Sequence, residues 1–298
     1  MVLVRQVVPS DNECAVVSQR LIEAALAGDI EIVDNCLIDA LVDVNYIGTV
    51  SLRVKCTETV LHEEAPDEVN IGYEEYKTDV TALFAAAHAG HVDITRRLLS
   101  AGSDVNQKLF RGYATTAAAR EGHHRLLGLL LKAGASQPAC EDALLDACLY
   151  GQAKAAELLI SSEMTRPDVS AHALVHAGCR GFVDIVKILI KNGVDKNSWD
   201  RALLRSAKPA LHANVDCTPL IAAIVSRQAP VVKYLLEVGA KTDCKVSLGA
   251  WSWDTVSGEE LRVGASLAEP YNEAWCAVEY YEAKGEVLKM LLGYISPN

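Results

Sequence analysis

Few aromatic residues, no closely spaced cysteines and no long apolar run mark this chain, and each shortage removes a class of protein. Aromatics make up 6% of its 298 residues, although half of the chain is hydrophobic. Much of that apolar content is Ala, Leu and Val, which suits helices packed at close range better than a few large globular cores. The nine cysteines (Cys14, Cys36, Cys56, Cys140, Cys148, Cys179, Cys217, Cys244 and Cys276) are scattered, odd in number and never spaced CxxC. They read as reduced thiols serving as small hydrophobes, not as a disulfide framework. No apolar run reaches the roughly 18 residues of a membrane span. The apolar start, Met1 to Ser10, is short and broken by Arg5 and Pro9, a poor signal peptide. A reducing compartment is the expectation, cytoplasmic or else nuclear.

Positive charge is also short: 28 basic residues face 39 acidic ones, a net charge of −11. Such a balance repels phosphate backbones and anionic lipid, so neither nucleic acid nor membrane is an expected partner. Phosphate-binding loops are lacking: there is no GxxxxGK[ST] and no GxGxxG after a strand. No GxSxG marks a hydrolase elbow. No cofactor and no enzymatic activity are expected; a Cys–His pair that meets only in space is the remaining catalytic alternative. His172, His176 and Cys179 fall at i, i+4 and i+7 of one helix, but no fourth ligand accompanies them, and a metal is not expected.

What the chain has in abundance is repetition. Glycines at 90, 122, 151 and 181 are 32, 29 and 30 residues apart. Each is followed by an apolar stretch ending in a Leu/Ile pair: Leu98-Leu99, Leu130-Leu131, Leu158-Leu159 and Leu189-Ile190. A second glycine follows at 102, 134 and 193, and Asp-Val-Asn closes two copies at 43–45 and 104–106. The segment from Thr81 through Ala85-Ala86-Ala87 to Gly90-His91, with Leu98-Leu99, Gly102 and Asp104-Val105-Asn106, resembles an ankyrin repeat, whose period is about 33 residues. Further copies start near Leu21, at Thr218-Pro219 and at Trp275. Thr81 and Thr218 are placed to cap their helices, and Pro219 suits a first turn. The resemblance implies an all-α solenoid of about seven stacked antiparallel helix pairs, since no copy can bury its apolar face alone. His91 and His123 would then bond between neighbouring turns. Gly178, where the family has Ala, would weaken its helix.

Three stretches break the period. Between Gly28 and Gly90 about 29 residues are surplus to the period, with Val50 to Cys56 alternating like a strand, Thr57 to Leu61 as its return, and an acidic run behind them. The other breaks are a loop at 197–217 and a tryptophan-containing loop from 243 to about 273. The expected organisation is a first repeat within 1–46, an acidic hairpin insertion at 47–77, repeats over 78–242, and a long loop with a last helix pair over 243–298. These interruptions are similar to those of a group of plant ankyrin-repeat proteins.

The resemblance also implies a function: a non-catalytic scaffold or adaptor that binds a partner protein. The positions that vary for binding in this architecture precede the mid-repeat glycine, here His88-Ala89, Arg120-Glu121, Leu149-Tyr150, Cys179-Arg180 and Val225-Ser226. The fingers between repeats supply Lys108, Phe110, Arg111 and Tyr113, then Trp199 and Arg201, and the late loop adds Trp251 and Trp253. Arg, Tyr and Trp are common anchors of protein interfaces, although each could instead pack on its own scaffold or sit solvated. The alternative function is an oligomerisation module, self-associating weakly through the acidic hairpin or the apolar last helix (Val287, Leu288, Met290, Leu291, Leu292, Ile295).

Overall fold

A computed structural model describes residues 11–60, 66–206, 211–241, 251–253 and 260–262. It divides into two compact units, Met1–Lys55 with Tyr73–Asp146, and Cys56–Gly72 with Ala147–Asn298. The expected last helix pair, including Trp275, lies outside the described residues.

In the first unit helices come in pairs. They are α1 (Asp11–Ala27) and α2 (Ile30–Ile38), α3 (Ala82–Ala89) and α4 (Val92–Ser100), and α5 (Ala114–Glu121) and α6 (His124–Lys132), with α7 (Gln137–Leu149) beginning the next pair. First helices pack on first helices, α1 on α3 and α3 on α5, and second on second, α2 on α4 and α4 on α6. The second unit repeats the plan with α8 (Ala153–Ile160), α9 (Pro167–Cys179), α10 (Val183–Lys191), α11 (Pro219–Val225) and α12 (Ala229–Glu237). Here α9 packs on α11, and α10 on both α8 and α12.

Local chemistry accounts for each pair. Phe84 N–H donates to Thr81 Oγ1 and Ile221 N–H to Thr218 Oγ1, so both threonines cap their helices as expected. Gly90 ends α3 in the left-handed region at φ +82°, and a Cβ there would stand 2.7 Å from the His123 ring. Glycine thus both makes the turn and admits the next histidine, whose Nε2 lies 3.2 or 3.1 Å from the preceding copy's carbonyl: Leu26 for His91 and His88 for His123. Eight residues past each turn a side chain enters the core: Cys36, Leu98, Leu130, Leu159, Leu189 and Leu235. In four of the pairs only one does so, because adjacent helix positions are about 100° apart: Leu158 is exposed and Leu99, Leu131 and Ile190 are half-buried, whereas Leu236 is buried beside Leu235. Gly178 is not simply a weak point: a Cβ there would meet Pro219 O at 3.1 Å, so its absence lets α9 and α11 approach.

The hairpin expected near the N-terminus is present: β1 (Gly48–Val60) and β2 (Glu68–Val80) rise ahead of α3. The all-α expectation needs correcting elsewhere, where β3 (Asp200–Ser206), β4 (Leu211–Cys217), β5 (Trp251–Trp253) and β6 (Glu260–Arg262) form an antiparallel sheet in that order. The first hairpin is longer than expected. Residues 57–60 continue β1 and do not return as its partner, and the acidic stretch supplies the second strand. Val50, Leu52 and Val54 are buried in alternation with exposed Ser51 and Arg53, which fixes the face that β1 turns to the helices. Residues 200–206 and 211–217 are not loop but paired strands, from Asp200↔Cys217 to Ser206↔Leu211, which satisfies backbone groups that a packed loop would strand.

Candidate partner-binding surface

The finger that follows Asn106 is built in steps. Asp104 Oδ1 accepts from Asn106 N–H at 2.8 Å, closing a tight turn. Asn106 then bonds forward, its Oδ1 accepting from Ser136 N–H at 2.7 Å and its Nδ2 donating to Gly134 O at 3.0 Å. Asn45 accepts likewise from Asp104 N–H at 2.7 Å. The finger tip closes where Leu109 and Gly112 exchange backbone bonds of 2.9 and 3.1 Å. Phe110 stands at that tip, 94% exposed.

The neighbours of Phe110 are held. The Arg111 guanidinium lies 4.3 Å from the Tyr76 ring centroid of β2, and Arg111 O accepts from Arg120 at 3.4 Å. Lys108 pairs with Asp142 at 3.2 Å and sits over the Tyr113 ring; the bond to Asp142 raises its pKa. Tyr113 itself is only 7% exposed, and its N–H donates to Thr116 Oγ1. It supports the finger from within.

The groove at the ends of α3 and α5 is occupied by the chain itself. His88 Nε2 lies 3.1 Å from Arg53 O of β1. Lys55 donates to Arg120 O and Glu121 O at 3.3 and 3.2 Å and pairs with Glu121 Oε2 at 3.3 Å. Arg120, expected to face a partner, is 9% exposed, with its guanidinium 2.6 and 2.8 Å from Asp146 Oδ2. Burial pushes the Asp146 carboxyl up while Arg120 pulls it back. Burial likewise lowers the pKa of His88. Arg120 is therefore an internal ion-pair partner and not part of an open floor.

The second unit treats its own groove positions the same way. Asp67 N–H donates to Ser226 O at 3.3 Å, and Gln228 Nε2 donates to Asp67 O at 2.8 Å. Arg180 donates to Leu149 O at 3.1 Å, and Tyr150 is half-buried. Trp199 and Arg201 are exposed beside the start of β3. Asp200 between them meets His172 Nδ1 of α9. The His176 ring lies 4.2 Å from that of His172. Burial chiefly, with the charges of His172 and Arg180, lowers the His176 pKa to about 4 against the opposing pull of Asp200. Trp251 and Trp253 form β5, whose Ser252 pairs with Leu211; their side chains lie outside the described residues.

Among the described residues no group of three or more His, Cys, Asp or Glu could hold a metal ion. Burial pushes the Cys148 and Cys179 thiols up to about 12, far from a thiolate nucleophile. No described helix is long and apolar enough to cross a membrane. Tyr76, Arg53 and Lys55 escaped the sequence reading. The alternation of residues 50–56 located their hairpin, but no signal said which helix ends it would cover.

Comparison with known families agrees with this architecture. Residues 115–200 and 144–246 match a model of ankyrin repeats in three copies, and residues 78–108 match the single ankyrin repeat. The chain belongs to the ankyrin-repeat family, whose members are generally protein–protein interaction modules. No curated protein matches it.

Proposed function

We propose that the chain is a non-catalytic protein-binding scaffold that engages its partner through the finger bearing Phe110, not through the floor of the helix-end groove. The observation that carries this reading is Phe110, an aromatic side chain left 94% exposed on a tip fixed by two backbone bonds and a stacked arginine. An anchor held in place before binding loses little conformational freedom on docking. Lys55, His88 and Glu121 support the second half of the reading, because their mutual contacts fill the positions a groove-binding partner would need.

The test is affinity capture from native extract with wild type and a Phe110→Ala, Arg111→Ala double variant. Truncating an interface anchor costs about 2 kcal/mol or more, so the captured protein should be lost. Equal recovery by a variant with unchanged helical circular dichroism would sink the finger assignment. Tyr113 is left intact, since its removal would disturb the finger's support.

A further inference from the structure

We infer that the free edge of β2 from Tyr73 to Asp79 is a second docking site, which takes an extended, basic segment of another protein as an added strand. This rests on the chain being a protein-binding scaffold but not on the Phe110 finger.

The hairpin is a two-stranded sheet, so β2 has one strand neighbour only. Among the described residues, no backbone bond joins residues 73–79 to any segment except β1. An unpaired row of N–H and C=O groups is a template for another strand, and folded proteins usually blunt it by shortness, proline or a bulge. This edge is neither short nor broken by proline, since β2 runs for 13 residues, and what guards it is charge. Its exposed side chains are not uniformly polar. Tyr73 and Tyr76 stand among the charges, Tyr73 with Arg53 4.7 Å from its ring and Tyr76 with Arg111 at 4.3 Å. Rings fixed in this way are good cross-strand partners for an incoming chain. The strand is also firmly seated. Thr78 and Val80 are buried, and Thr49 Oγ1 donates to Asp79 Oδ1 at 2.5 Å.

Charge selects the occupant. Alternation puts Tyr73, Glu75, Lys77 and Asp79 on one face and Glu74, Tyr76 and Thr78 on the other. Carboxylates therefore border the edge on both faces, and among the strand's own side chains here Lys77 is the single cation, while the Arg53 and Arg111 guanidinium groups beside it are taken up by the Tyr73 and Tyr76 rings. A second copy of this chain, paired edge to edge, would bring carboxylates against carboxylates, which is unfavourable. A strand carrying Lys or Arg meets complementary charge on either face.

The test uses the full chain and a fluorescent peptide of alternating lysine and valine, read by anisotropy at low ionic strength. Two control peptides accompany it: the same sequence with alternate backbone amides N-methylated, and an alternating glutamate–valine peptide. The unmethylated basic peptide should bind, and neither control should. Glu74→Lys with Glu75→Lys should weaken binding by about tenfold or more, whereas Phe110→Ala should leave it unchanged. Equal binding of the methylated peptide would show charge attraction without strand addition and overturn the proposal. So would equal binding by the charge-reversed chain, failure of the unmethylated peptide, or an edge-to-edge dimer of the wild type. Retention of the captured partner by the double finger variant overturns the finger alone and leaves this result standing.

Discussion

The two units solve the same turn differently. In the first, every described residue with positive φ is a glycine, among them Gly28, Gly90, Gly102, Gly122 and Gly134. The second uses Gly151, Gly181, Gly193 and Gly239 in the same way, but Glu163 at φ +57° stands where the glycine after the outer helix belongs, and Arg227 at φ +55° stands where the mid-pair glycine belongs. Ser162 and Gln228, on either side of that pattern, still make turn bonds: Ser162 N–H donates to Leu159 O at 3.2 Å and Gln228 N–H to Ala223 O at 2.8 Å. The repeat therefore dictates the backbone, and stacking holds it there even where the residue resists. The second unit also departs in its finger. That finger opens as the first one does, with Asp195 accepting from Asn197 N–H and Asn197 accepting from Lys241 N–H, but it runs on into β3 and β4. The first unit keeps its finger short and ends it on an exposed phenylalanine.

The largest effect should come from breaking the first unit's internal pair. Arg120→Ala strands Asp146 in a buried site and should cost about 3 kcal/mol, read from urea unfolding; a loss under about 1 kcal/mol would mean that water solvates the pair. In the second unit the comparable lever is pH. His176 titrates at about 4 when folded against an ordinary 6.5, so the unfolded chain takes up its proton first. Its share of stability is complete above pH 6.5 and is lost as pH falls toward 4, about 3 kcal/mol in all. Comparing wild type with His176→Gln over that window isolates the effect, and parallel curves would contradict it.

The same substitution logic should then change sign between units. Gly90→Ala should destabilise by about 1–2 kcal/mol or more, since a left-handed Cβ would also meet His123. Arg227→Gly and Glu163→Gly should each stabilise by up to about 1 kcal/mol in thermal unfolding. If either lowers the melting temperature, side-chain contacts outweigh the backbone strain there. The smallest effect on stability belongs to Phe110→Ala, within about 0.5 kcal/mol, as suits a side chain that touches nothing it supports.

How much of this could be read from residues alone follows the range of each interaction. Thr81, Gly90, His91, Asn106 and Leu98 act at fixed offsets within one repeat or between neighbours, so their spacing announced them. Lys55 with Glu121 and Arg53 with His88 join residues 66 and 35 positions apart, and no periodicity encodes such contacts. The groove therefore looked open in the sequence and is filled in the structure. Arg120 looked like a surface anchor because its partner, Asp146, lies two helices on. Residues 200–217 were legible only as surplus length. Asp200 to Ser206 reads Asp-Arg-Ala-Leu-Leu-Arg-Ser, without the alternation that marks a half-buried strand. Phe110 was legible as an anchor type, but only the structure separates it from Tyr113, three residues on and buried.

The central claim is that the partner meets the finger and not the groove floor. Photo-crosslinking addresses it directly, with p-benzoylphenylalanine placed at Phe110 in one chain and at Ala89 in another, each irradiated with the captured partner. The account predicts a crosslinked product from position 110 and none from position 89, where β1 covers the helix end. Crosslinking from position 89 with none from 110 would contradict it, and would mean that the hairpin yields the groove to the partner.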